Sequence, residues 1–107
     1  MPTRREALEA FLAADPDDSF TRYALALEYA SAGETGRAIT CLNDTIARDP
    51  HYVPAYHQLG RLYADAGREA DAADAYTRGI AEARLQKDNH AASEMTQELE
   101  SLSEDRS

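Results

Sequence analysis

An all-α fold of paired antiparallel helices, about six in number, is what the 107-residue sequence predicts. Three observations carry that expectation. Landmark residues recur at a step of 34, apolar residues fall three and four apart between them, and glycine or proline interrupts the pattern at regular places. The clearest marker is Asp15-Pro16, which returns as Asp49-Pro50. Leu25 returns as Leu59, Tyr29 as Tyr63, Ala30 as Ala64, Gly33 as Gly67, Ala38 as Ala72 and Ile46 as Ile80. One such match would mean little; a single step shared along the chain defines a repeat.

Residues 4–14, with Leu8, Phe11 and Leu12, predict a helix that Pro16 ends, because proline lacks the N–H and clashes with the preceding turn. In the repeat frame it corresponds to the second helix of a unit, with no first helix before it. Residues 19–32 predict the next helix, with Leu25, Tyr29 and Ala32 on its core face. Gly33 supplies the left-handed residue that closes it, and Gly36 is expected to widen the turn. Residues 37–49 carry Ala38, Ile39, Leu42 and Ile46 and stop before Pro50. The second repeat opens with Pro54, tolerated in a first helical turn. It runs through Tyr56, Leu59, Leu62 and Tyr63 to Gly67, then through Ala72, Ala73, Tyr76 and Ile80 to about Gln86. Asp88 or Asn89 can cap a last helix, whose stripe of Ala92, Met95, Leu99 and Leu102 leaves Glu94, Gln97, Glu98 and Glu100 for water. A polar-backed final helix is what a stacked array needs to cover its open end.

The net charge of −9 argues against a nucleic-acid backbone as the main partner. More than half of it sits in residues 88–107, where six acids face one base, Arg106. A basic partner therefore does not follow from the overall acidity. A single cysteine, Cys41, has no internal disulfide partner, which fits a reducing compartment. The first ten residues are polar and charged, unlike a signal peptide, and no apolar run has the length of a membrane span. The expectation is a cytoplasmic protein with no membrane partner. The polar residues 101–107 read as a chain end.

Tyr56-x-x-Leu59-Gly60-x-x-Tyr63, followed by Ala72-x-x-x-Tyr76, resembles the signature of the tetratricopeptide repeat family, with tyrosine in the aromatic slots. The first repeat is a looser copy: Arg22-x-x-Leu25-Ala26-x-x-Tyr29, then Ala38-x-x-x-Leu42 and Pro50. With Arg22 in place of the opening aromatic, its outer edge is expected to be more exposed. Ala26 and Gly60 fall where the helices of a pair approach closely, with Ala38 and Ala72 facing them. The resemblance covers residues 4–84 directly and the rest by analogy. It implies a right-handed superhelix of helix pairs in one domain over residues 1–107. The expected order is a half repeat (3–16), repeat 1 (17–50), repeat 2 (51–86), a capping helix (87–103) and a tail (104–107).

No catalytic constellation stands out. His51 and His57 are six residues apart across a helix start and would not share a face, and His90 is remote from both. There is no paired-cysteine spacing, no His-Glu-x-x-His and no phosphate loop, since Gly33-Glu34-Thr35-Gly36 is too short and has no lysine. Cys41 lies mid-helix and reads as a packing residue. No enzyme activity, metal or cofactor is expected.

The resemblance also implies a concave groove, lined by the first helices of successive repeats, that takes a peptide or helix of another protein. Its residues would be Phe20, Tyr23, Leu27 and Ser31 in repeat 1, and His57, Arg61, Ala64 and Asp65 in repeat 2, with Tyr52 at the entrance. Phe20, Tyr23 and Leu27 form a second apolar stripe beside the core one, more than a half-buried helix needs. One subclass of the family grips ligand C-termini with lysine and asparagine; Tyr23, Leu27 and Gln58 stand at those places, so that clamp is missing. An adaptor or scaffold binding an apolar or amphipathic segment is the first expectation. A homodimer closed by the same stripe is the second. A small secretion or assembly chaperone, or an accessory subunit of an enzyme, is a further alternative.

Overall fold

The computed structural model describes residues 1–104. Residues 105–107, most of the expected tail, lie outside the described residues. Among those described the chain is all-α: α1 (Arg4–Ala14), α2 (Ser19–Ser31), α3 (Thr35–Arg48), α4 (Val53–Asp65), α5 (Glu69–Leu85) and α6 (Asn89–Glu104) follow one another in antiparallel pairs. No helix among the described residues is long and apolar enough to cross a membrane. The chain divides into two compact units, Met1–Tyr52 and Val53–Ser107.

In the first unit α2 packs along α3 and α1 lies against α2. Local chemistry sets each start. Thr3 and Glu6 make a reciprocal capping box for α1, and Asp18 accepts the Thr21 amide at 3.2 Å to start α2. At the end of α2, Gly33 takes φ +79°, and the Glu34 amide reaches back to the Tyr29 carbonyl at 2.9 Å. Only a residue without Cβ adopts that turn freely. The core is Ala24, Leu25 and Ala26 of α2 against Ala38, Leu42 and Ile46 of α3. Thr45 is also buried there, its hydroxyl donating to the Cys41 carbonyl at 2.8 Å.

Three local expectations for this unit are corrected. Gly36 is in the first turn of α3 and opens no turn, because Glu34 already takes the N-cap position. Ala32 is exposed at the C-cap of α2, since the helix closes one residue before the core face would return to it. Arg22 is buried, at 6% exposure: its stem packs in the helix pair while the guanidinium donates to the Pro16 carbonyl.

In the second unit α5 is the central helix, packed on α4 and on α6, and α6 also touches α4. Gly67, φ +76°, repeats the Gly33 closure, with the Arg68 amide donating to the Tyr63 carbonyl at 2.8 Å. The α4–α5 pair approaches so closely that a Cβ on Gly60 would stand 2.5 Å from the Tyr76 ring. Tyr56, Leu59, Ala72, Ala75, Tyr76, Ala83 and Met95 are buried. Asp88 starts α6 by accepting the Ala91 amide at 3.1 Å.

Candidate functional site

The first helix of repeat 1 carries an apolar stripe at the surface of the first unit. Asp18 fixes the start of α2, so Phe20 falls in its first turn on the side away from Leu25 and Ala26. Phe20 is 67% exposed and Leu27 37%. Tyr23, between them on the stripe, is half-buried, its ring 5.5 Å from that of Tyr52 at a 54° tilt. Tyr52 is placed by the turn after α3, where its amide donates to the Asp49 carbonyl at 3.1 Å. Burial raises the Tyr52 phenol above its ordinary pKa, with the neighbouring Tyr23 adding to the effect. Phe20, Tyr23, Leu27 and Tyr52 thus make an apolar-aromatic surface that is partly open.

The repeat 2 residues have a different setting. His57 and Arg61 lie one turn apart on α4, and both meet Glu98 of α6. His57 Nε2 is 2.5 Å from Glu98 Oε2, while Arg61 forks onto the carboxylate at 2.8 Å and 3.1 Å. The Tyr76 hydroxyl donates to the same carboxylate at 3.1 Å. Burial alone would raise the Glu98 pKa, but the hydrogen bonds and charges of Arg61 and His57 overcome it and hold it at about 2. Burial and the adjacent Glu98 push the Tyr76 phenol up, and the Glu98 hydrogen bond raises Arg61. A carboxylate held by four donors keeps its charge and has no proton to give. The cluster works as a clasp of α6 onto α4 and α5.

The expectation that Glu98 faces water is therefore corrected. Glu98 follows Met95 by three residues and precedes Leu102 by four, so it lies along the apolar stripe of α6 and is half-buried there. That spacing was the available signal, and the charge type masked it. Asp65, at the end of α4, is exposed and takes no part in the clasp. The expected groove residues thus fall into two sets: Phe20, Tyr23, Leu27 and Tyr52 in one compact unit, and His57, Arg61 and Asp65 in the other.

Cys41 is a packing residue in the structure. Its thiol donates to the Arg22 carbonyl at 3.2 Å, and burial pushes its pKa up to about 11, so thiolate is scarce at neutral pH.

Comparison with known proteins agrees with this architecture. A tetratricopeptide repeat family model matches residues 3–53. A TPR repeat-containing protein of Pseudomonas aeruginosa is 35% identical over 97 residues, spanning 91% of this chain and 92% of that protein. Among solved structures, a tetratricopeptide repeat domain protein from Salinibacter ruber superposes with a TM-score of 0.78 at 38% identity, over 82% of this chain and 89% of that one. A protein of Bordetella parapertussis superposes with a TM-score of 0.84 at 30% identity, over 98% and 91%. A relative this similar along nearly the whole of both chains, and a fold of helix pairs repeating every 34 residues, make the chain a member of the tetratricopeptide repeat family.

Proposed function

We propose that the chain binds an apolar or amphipathic segment of another protein on the surface formed by Phe20, Tyr23, Leu27 and Tyr52. Domains of this family are generally protein–protein interaction modules, and no specific partner is implied by membership. The observation that carries the finer reading is Phe20, a two-thirds exposed aromatic on a helix whose core face is filled by other residues. Burial of such surface returns roughly 25 cal/mol per Å², before the cost of ordering the partner. His57 and Arg61 belong to the second compact unit, where Glu98 engages both, and are not part of the proposed surface.

Affinity capture from native lysate, comparing wild type with Phe20→Glu and Leu27→Glu, tests the proposal. These two positions are preferable to Tyr23, whose ring also supports Tyr52. The same proteins captured by well-folded variants and by wild type would refute the assignment. Light scattering over a dilution series bears on the rival reading: a dimer that the Phe20→Glu change dissolves would make the partner a second copy.

A further inference from the structure

The two repeats differ sharply at one pair of matched positions. Repeat 2 holds Tyr56 there, 4% exposed, with the Arg78 guanidinium 5.3 Å above its ring. Repeat 1 has Arg22 and Asp44 at the positions 34 residues earlier. Beside Arg22, an open cavity of about 490 Å³ lies among α1, α2 and α3. That size suits a small-molecule site.

Its walls are mixed. Leu12, Leu25 and Tyr29 supply apolar and aromatic surface; Arg22, Arg37 and Cys41 supply polar groups. The guanidinium of Arg22 is the unusual one. One nitrogen donates to the Pro16 carbonyl, but Nη1 is buried with no hydrogen-bond acceptor. A buried charged donor without an acceptor is rare in native proteins and costly, so an acceptor that enters the cavity gains from supplying one. Arg22 and Arg37 with Asp44 in the wall, together with Glu34, which Arg37 meets at 3.5 Å, and Arg5, which pairs with the same Glu34, leave three positive charges against two negative ones. That balance favours a monoanion and disfavours a doubly charged ligand.

We infer that this cavity binds a small aromatic monocarboxylate, its carboxylate on Arg22 and its ring in the space that the Tyr56 ring occupies in repeat 2. Nη1 is out of solvent contact, so entry moves a wall side chain; the long Arg37 side chain, 65% exposed, is suited to move. The site is independent of the partner-binding surface proposed above, since Phe20, Tyr23, Leu27 and Tyr52 are not among its walls.

The test is a titration of the ¹⁵N-labelled full chain with 3-phenylpropionate, followed by amide shifts. Shifts should centre on Leu12, Leu25, Gly36 and Cys41. The neutral 3-phenylpropanol and the dianion benzylmalonate should bind at least about tenfold more weakly, as should 3-phenylpropionate to Arg22→Met. Arg22→Tyr, which restores the aromatic of repeat 2, should abolish binding, and it carries the test if Arg22→Met does not fold. Acetyl-Gly-Phe has the same ring and carboxylate on a peptide end. Its binding more tightly than 3-phenylpropionate assigns the site to a protein C-terminus; its binding more weakly assigns it to a free acid. Absent shifts, shifts centred elsewhere, or undiminished binding by the folded Arg22 variants would overturn the inference.

Discussion

At the scale of single residues, a chain of dependence runs from Gly60 to Glu98. The missing side chain at Gly60 admits the Tyr76 ring, whose hydroxyl then reaches the Glu98 carboxylate. Gly60→Ala should cost about 1–3 kcal/mol, the usual range for overpacking, because a buried ring has no room to retreat. Gly36→Ala should do the opposite and stabilise by roughly 0.5–1 kcal/mol, since a Cβ there meets nothing within 4 Å and the helix gains a better former. Urea denaturation of both variants checks the pair of signs. Glu98 makes stability depend on acid. Its folded pKa of about 2 lies below the ordinary 4.5, so its contribution is complete above 4.5 and is lost as pH falls toward 2. The shift caps that contribution near 3 kcal/mol, and solvent screening of the half-exposed Arg61 reduces it to about 1–2 kcal/mol. Glu98→Gln should therefore unfold more easily than wild type at pH 7, with the gap closing between pH 4.5 and 2. Neither the half-burial of Glu98 nor the burial of Arg22 was legible, because charge predicts exposure unless the helical spacing of its apolar neighbours is given more weight.

At the scale of helices, most boundaries were legible because their signals are local. Gly33 and Gly67 close α2 and α4 through the same backbone turn, and Asp18 and Asp88 start α2 and α6. The start of α3 was read two residues late, since Glu34 caps through backbone position alone. Its carboxylate is engaged elsewhere, by Arg5 of α1 and by Arg37. The end of α5 departs from the glycine rule. Lys87 takes φ +62° where the closures of α2 and α4 use glycine, and the Asp88 amide reaches the Ala83 carbonyl at 2.8 Å as in those turns. A side chain in that region is strained by roughly 1 kcal/mol. Lys87→Gly should recover about that much, seen as a higher melting temperature with unchanged helical content.

For the molecule as a whole, the 34-residue step disclosed the order of helices and their pairing, because periodicity records which faces must be buried. The surroundings of the expected groove residues were only half legible. The helical spacing of Phe20, Tyr23 and Leu27 showed a second apolar stripe, but nothing local showed the Glu98 that engages His57 and Arg61, since that pairing joins residues some forty apart outside any repeat. Within each compact unit the helices pack mainly on their neighbours in sequence: α1 on α2 on α3, and α4 on α5 on α6. This arrangement has a consequence in time. Contacts that close only short stretches of chain ask little loop entropy of the folding transition state. Refolding should finish within the dead time of stopped-flow mixing and be resolved by temperature jump, in the microsecond-to-millisecond range typical of helical domains rich in local contacts. A refolding phase lasting seconds in double-jump experiments, where the X-Pro bonds have no time to isomerise in the unfolded chain, would mean that distant contacts, and not neighbouring helices, set the pace.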